Sequence, residues 1–212
     1  MYVIISVLGL LFIAWCVFGY FAVRSVEQLE YTVESTHNGY EIRNYPTHLR
    51  AQTKITGNVA QASNQGFRIV AGYIFGDNQS QDKIAMTTPV IQEQTSQKIA
   101  MTTPVIQNET AGEFSFVLPS KYKLEDLPIP NDPRVELVEV PAKQVAALRF
   151  SGFFSADKFK DKEALLRKRL ERDGVEYGAI STVSYNPPLT PPFMNRHEVW
   201  AEIEWIEKET NL

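Results

Sequence analysis

The chain has 212 residues, of which 44% are hydrophobic and 22% charged, the composition of a globular protein and not of a disordered or collagenous one. With 21 Lys+Arg against 25 Asp+Glu, a net charge of −4 and no long basic block, it lacks the electrostatic source that nucleic-acid binding needs, so DNA and RNA are not expected partners. Its single cysteine, Cys16, excludes an intrachain disulfide and a cysteine-based metal site.

From Tyr2 to Val23 no side chain is charged. A helix over that stretch reaches about 33 Å at about 1.5 Å per residue, enough for a hydrocarbon core of about 30 Å. No Lys or Arg precedes the run, and Trp15, Phe18, Tyr20 and Phe21 fill its end, unlike a signal peptide with a basic start and a small-residue cleavage site. Residues 1–24 therefore read as an uncleaved single-pass membrane anchor, with a buried core helix as the alternative. Arg24, on the C-terminal flank, leans the soluble part slightly towards the cytoplasmic side. A linker at 25–30, one domain at 31–207 and a tail at 208–212 complete the expected organisation, since roughly 180 residues suffice for a single core.

Tyr40–Tyr45 and Ala51–Thr56 read as strands flanking Pro46, followed by Gly57 and a helix from about Asn58 to Phe75 that Gly76 stops. In that helix Val59, Ala62, Gly66, Phe67, Val70, Tyr73 and Ile74 recur at spacings of three and four. The same grammar returns about 95 residues later: strands Arg134–Val140 and Gln144–Phe150 flank Pro141, then come Gly152 and a helix from Ser155 to Asp173, stopped by Gly174. Pro46 to Gly57 and Pro141 to Gly152 are both intervals of eleven residues. Such a repeat predicts two pseudo-equivalent halves sharing one sheet system, because each half alone has too little area to bury its helix. The row Lys160, Lys162, Glu163, Arg167, Lys168 and Arg169 on the second helix reads as a solvated face.

Between the halves lies an exact duplication, Lys83–Gln92 and Lys98–Gln107, offset by fifteen residues. Two copies are too few for a solenoid, so they read as a hairpin linked by Glu93 to Gln97, with Pro89 and Pro104 confining it to the rim of the sheet. Glu113–Leu118 and Glu198–Trp205 close the set of strands, Val199, Ala201, Ile203 and Trp205 alternating with mostly polar neighbours.

No catalytic signature is present: there is no phosphate loop, H-E-x-x-H pair or nucleophile elbow, and the chain is not expected to be an enzyme. His37, His48 and His197 are too scattered to predict a metal site, and Met86 and Met101 read as core before they read as haem ligands. The loop Tyr185–Arg196 is unusual, since four prolines stiffen it while Leu189, Phe193 and Met194 are apolar where loops are usually polar. It fits one wall of a pocket for a flat ligand carrying carboxylates, and equally a loop packed on the core.

The pieces Tyr40-Glu41-Ile42-Arg43 with Tyr45, Gly66-Phe67 through Gly76, Lys83–Val90, Phe116–Pro119, Phe150-Ser151-Gly152, Tyr185–Pro188 and Glu198-Val199-Trp200 occur in an order that resembles the SOUL haem-binding family, over about Tyr31 to Trp205. The resemblance implies an α+β fold, a twisted antiparallel β-barrel of two pseudo-repeated halves with two flanking helices. It implies a shallow apolar groove for haem or a related tetrapyrrole, between the first helix of the domain and the loop before the last strand. Carried onto this chain, the walls are Val59, Ala62, Ser63, Gly66 and Phe67 on one side and Pro188, Leu189, Phe193 and Met194 on the other, with Arg68 or Arg196 facing a propionate. The family's namesake is thought to use a histidine in its Tyr-Glu-Ile-Arg-His-Tyr motif as axial ligand; Asn44 stands there in this chain and is a poor iron ligand. His197, preceding Glu-Val-Trp, is a substitute candidate. The expectation is a non-catalytic, membrane-anchored tetrapyrrole carrier or buffer, and the alternative is a membrane-tethered protein-interaction module that keeps the fold without haem.

Overall fold

Alternation of apolar and polar side chains sets the strands, and the computed structural model describes residues 2–24, 26–56, 59–85, 87–94, 112–186 and 190–203. In chain order the elements are helix α1 (Tyr2–Arg24), strands β1 (Glu27–Gln28), β2 (Thr32–His37), β3 (Tyr40–Tyr45) and β4 (His48–Ile55), and helix α2 (Val59–Ile74). There follow β5 (Thr87–Thr88), β6 (Val90–Gln94), β7 (Gly112–Val117), β8 (Glu136–Val140), β9 (Lys143–Phe150), helix α3 (Ala156–Asp173), β10 (Ile180–Ser184) and β11 (His197–Ile203).

Nine strands form one antiparallel sheet in the order β2-β3-β9-β11-β10-β6-β7-β4-β8. This order is symmetric about the β10–β6 seam. On one side stands β4-α2-β6-β7 and on the other β9-α3-β10-β11, and each half lends its leading strand to the other: β3 pairs with β9, and β8 pairs with β4. The repeat in the sequence is therefore a repeat in space, and the exchange of leading strands ties the halves together. The sheet curls without closing, a half-barrel, with β2 and β8 at opposite ends of the order. The separate pair β1–β5 is parallel, Glu27 facing Thr87 and Gln28 facing Thr88.

Each helix covers one half. Ile69, Val70, Tyr73 and Ile74 of α2 pack with Ala51, Ile55, Phe114 and Phe116, while Phe159, Leu166 and Leu170 of α3 pack with Tyr40, Ala146, Leu148, Val199 and Ala201. The inner face of the curl carries a third cluster, Tyr45, Ile91, Val117, Val145, Ala147, Val183, Tyr185 and Trp200. Ser155 caps α3 by accepting from the Lys158 N–H, and Gly174 ends it at φ 67° with its N–H returned to Glu171 and Leu170 carbonyls. Nothing lies within 4 Å of a methyl group built on Gly174, so the cost of Gly174→Ala is backbone strain alone. That cost is about 1 kcal/mol for an L-residue held in the left-handed region, or a fall in thermal midpoint of roughly 2–4 °C, measurable by calorimetry.

The duplicated segment departs from the expected rim hairpin. Strand β6, from the first copy, pairs with β10 on one side and β7 on the other. Both of its edges are taken, so it is an interior strand that does not pair with the second copy; its proline, Pro89, immediately precedes it, where a missing N–H costs no ladder bond. Residues 95–111, which hold the second copy, lie outside the described residues. So do the end of the predicted Glu198–Trp205 strand beyond Ile203, and Met86 and Met101.

Helix α1 is long and apolar enough to cross a membrane: Tyr2–Phe21 has a mean hydropathy of 2.4, and only 6% of its strongest window is buried against the rest of the chain. The little that is covered faces the loop before β11, where Phe12 and Phe193 place their rings 6.2 Å apart.

Candidate functional site

The predicted groove residues fall into three groups. On α2, Ser63 donates to Gln92 Oε1 at 2.5 Å across to β6, and Arg68 is exposed. Gln92 is two residues, about 7 Å, along β6 from the end of the sheet at which β10 gives way to the loop. Gly66 and Phe67 instead serve the packing of α2: Gly66 abuts Phe114 and Ile55, and Phe67 meets the Phe116 ring at 5.6 Å. The side chains of Val59 and Ala62, and the whole of Pro188 and Leu189, lie outside the described residues.

On the loop, Pro192–Met194 makes a short 3-10 turn fixed to the end of β9, since Gly152 N–H donates to Pro192 O and Asn195 Nδ2 donates to Gly152 O. The turn leaves Phe193 60% exposed, beside the exposed pair Phe153 and Phe154 at 74% and 51%. Three large apolar rings on one rim form the kind of patch that a soluble surface rarely keeps without a partner.

Arg196 and His197 point to opposite faces of the sheet, and each is bound by protein groups. His197 is buried among Phe150, Phe154 and Phe159. Its Nε2 faces the Gly152 carbonyl at 3.2 Å and its Nδ1 faces Ser184 Oγ at 3.0 Å, so Nε2 donates while Nδ1 accepts. Burial, with Lys158 nearby, pulls its pKa below the usual histidine value. Ser184 and His197 are a hydrogen-bonded Ser–His pair, but the imidazole's second nitrogen is spent on a backbone carbonyl and not oriented by a carboxylate, as an activated serine would require. His48 is likewise occupied, donating through Nδ1 to Pro46 O at 2.8 Å and accepting from Arg50 Nε at 3.0 Å. Asn44, at the motif position of the family's ligand, donates to Glu34 and accepts from Gln144. Among the described residues no group of three or more His, Cys, Asp or Glu could hold a metal ion. Iron coordination by His48 or His197 does not fit without breaking existing hydrogen bonds.

The inner face holds a cluster that motif reading did not single out. Glu198, fully buried, accepts at Oε2 from Arg43 at 2.8 Å, Tyr185 Oη at 3.0 Å and Trp200 Nε1 at 2.7 Å, and at Oε1 from Arg196 Nε at 2.9 Å. Arg196 also lies 3.9 Å over the Tyr185 ring and donates to Tyr31 Oη at 3.2 Å. Burial alone would push the Glu198 pKa up, but the two guanidiniums and their hydrogen bonds outweigh it and hold the carboxylate below its usual range. Burial and the Glu198 charge push Tyr45 up to about 12 and Tyr185 well above its ordinary value, so both phenols stay protonated. The signal was present in the sequence as i, i+2 pairs, Arg43 with Tyr45 and Glu198 with Trp200, which strand alternation places on one face.

Beside this cluster a cleft of about 340 Å³ opens between Tyr31, Asn44, Tyr45, Pro46 and Ala142. A larger one, about 970 Å³, lies between the β1–β5 pair, the start of β4 and the turn after β7, and its walls include Glu27, His48, Tyr122 and Glu139.

Comparison with solved structures places the fold. The crystal structure of the EcmrR C-terminal domain superposes with a TM-score of 0.58 at 11% identity, covering 83% of this chain and 99% of that one. A hydrolase from Listeria innocua gives a TM-score of 0.51 at 10% identity, covering 80% and 94%. At such identities the likeness concerns architecture alone. The comparison with curated proteins gave no match. The family comparison is decisive where these are not: the model of the SOUL heme-binding protein matches residues 26–202, most of the chain, and this protein belongs to that family.

Proposed function

We propose that this chain is a membrane-anchored, non-catalytic binding protein for haem or related tetrapyrroles, acting as a carrier or buffer where such ligands partition. Family membership supports tetrapyrrole binding. The observation that carries the site assignment is the stiff loop that holds Phe193 60% exposed at the end of the sheet where β10 gives way to β11. In this reading Ser63, Phe193 and Met194, with Val59, Ala62, Pro188 and Leu189, contact the macrocycle. Gly66 and Phe67 hold α2 in place beneath it. Arg68, being exposed, is the better propionate partner, because Arg196 is committed to Glu198. Helix α1 supplies the anchor, its length and apolarity supporting a span.

The occupied nitrogens of His48 and His197 favour binding without a protein axial ligand. Affinity then comes from burying the ring at about 25 cal/mol per Å² of apolar surface, and haem and an iron-free porphyrin should bind the full chain in nanodiscs within about tenfold of each other. Phe193→Ala should weaken both at least tenfold, about 1.4 kcal/mol, whereas Arg68→Ala, losing one exposed ion pair, should weaken them by no more than about fivefold. Absorbance titration of both rings into the parent chain and the two variants measures all six affinities. Much tighter binding of haem than of the iron-free ring would mean that a protein ligand reaches the iron, and His197→Ala, at the residue that follows the loop, would then be the first variant to examine. If neither ring binds at micromolar concentration, the second reading holds: the same exposed rim, Phe153, Phe154 and Phe193, is then the contact surface of a tethered interaction module.

A further inference from the structure

We propose that the cleft of about 970 Å³ between the β1–β5 pair, the start of β4 and the turn after β7 is a second ligand site, suited to an organic cation with an ammonium head on an apolar body. Its described wall residues are none of those assigned to the tetrapyrrole groove, and the proposal is independent of that reading. The volume lies at the upper end of the range of small-molecule sites, about 300–1,000 Å³. The floor is apolar. Val117 and Leu118 are buried there; Leu49 packs against the α2 cluster that holds Leu118, and Leu29 against the inner cluster that holds Val117.

Around this floor stand Glu27, Glu30, Glu125 and Glu139, all exposed, against the single ammonium of Lys123 among the described wall residues. Glu30, Glu125 and Glu139 make no ion pair among the described residues. His48 adds no charge to the wall, since its Nδ1 donates to Pro46 O and its Nε2 accepts from Arg50, which is 3% exposed. A carboxylate rim over an apolar floor attracts a cation and repels an anion, so the propionates of a tetrapyrrole are turned away from this cleft. Thr87, in the same wall, is 1% exposed, and its hydroxyl has no hydrogen-bond partner among the described residues, whereas buried hydroxyls ordinarily have one. It stands opposite Glu27 in the β1–β5 register, which sets a hydroxyl beside a carboxylate. Glu27 Oε1 accepts from Ser120 N–H at 2.9 Å, and Oε2 makes no bond among the described residues. A protonated amine donates N–H to both oxygens, Thr87 Oγ1 and Glu27 Oε2, while its apolar body covers the floor.

The test is equilibrium dialysis of three probes with one aromatic body, naphthylethylammonium, naphthylacetate and the neutral dimethylamide of that acid. Each is dialysed against the full chain in phosphatidylcholine nanodiscs, with binding to empty nanodiscs subtracted. The ammonium should bind about tenfold more tightly than the other two, since each exposed charge pairing contributes up to about fivefold. Glu30→Gln, Glu125→Gln and Glu139→Gln combined should remove most of that preference and leave the neutral probe unchanged. Thr87→Val, close in shape, should weaken the ammonium about fivefold and leave the neutral probe unchanged. Its thermal midpoint should hold or rise, because a methyl group replaces an unsatisfied buried hydroxyl, whereas a threonine with a merely structural role would lower it on replacement. Phe193→Ala should not alter ammonium binding, so failure of this site and failure of the tetrapyrrole groove are read separately. Equal affinity for the three probes, no ammonium binding at millimolar concentration, or an ammonium affinity untouched by the triple variant or by Thr87→Val overturns the proposal. Loss of ammonium binding in Phe193→Ala also overturns it, since the amine then sits in the groove.

Discussion

Glu198→Gln is expected to destabilise the domain by about 3–5 kcal/mol, a fall in thermal midpoint of roughly 10 °C, although the side chain keeps its size. Among the described residues the carboxylate is the buried anion between Arg43, 2% exposed, and Arg196, whose side chain is 15% exposed. Removing its charge leaves Arg196 without its buried anion and Arg43 with only the more exposed Glu41, and the new amide turns an N–H₂ towards donors. Glu41 is the contrasting case: it also pairs with Arg43, at 2.8 Å, but it is 37% exposed, so Glu41→Gln should cost about 1 kcal/mol or less. The pH dependence has a definite sign. The folded-state pKa of Glu198 lies below its ordinary 4.5, so its contribution is fully present above pH 4.5 and is lost as the pH falls through the folded value. The parent chain should therefore lose stability more steeply than Glu198→Gln on acidification below that point. Equal acid limbs in thermal melts would mean that the cluster is neutralised by another group.

The cluster also explains why the family pattern takes the form it does. Arg43, Tyr45, Tyr185, Glu198 and Trp200 are distant in sequence, and each belongs to one of the short pieces that carry the resemblance. Their meeting on the inner face gives those pieces a structural role, distinct from any contact with a tetrapyrrole.

What could be read without coordinates was what depends on local rules. Strand–Pro–strand–Gly–helix, twice, gave both helices to within a residue or two, together with the Gly174 stop of the second, because helix stops and periodicity are local; Ser155, read as the first helical residue, is its cap. The exchange of β3 and β8 between halves was not legible, since partner choice in a sheet depends on contacts about a hundred residues away. The duplication was misread for a related reason: identical copies suggest a hairpin with each other, whereas Gly112–Val117 and Ile180–Ser184 take both edges of the first. For the candidate site, the apolar loop was visible as composition. Whether Arg196 and His197 were free depended on the opposite-facing alternation of neighbouring residues in β11 and on partners from β3, β9 and β10.

Gly66 marks the point at which site and scaffold meet, and it gives a prediction whose sign opposes helix propensity. In a helix interior Gly→Ala is worth about 1 kcal/mol of stabilisation, so Gly66→Ala should help if α2 were held by propensity alone. A methyl group there would stand 2.5 Å from Phe114 Cβ, 2.6 Å from its Cγ and 3.0 Å from Ile55 Cγ2. The first of these atoms is tied to the backbone of β7, an interior strand clasped by β6 and β4, and cannot give way. The helix must lift instead, opening the contacts of Val70, Tyr73 and Ile74 with the sheet, at a cost of about 2 kcal/mol net and roughly 5 °C in thermal midpoint. Gly72, six residues on in the same helix, is the control, since the nearest atom to its built methyl is Asp77 Cβ at 3.9 Å. Gly72→Ala should raise the midpoint by the propensity gain, about 1 kcal/mol or less. Lifting α2 also moves Ser63 away from Gln92, so Gly66→Ala should weaken porphyrin binding while Gly72→Ala leaves it unchanged. If both variants gain stability and bind alike, α2 does not rest on Phe114 through Gly66, and the groove wall is not positioned by that contact.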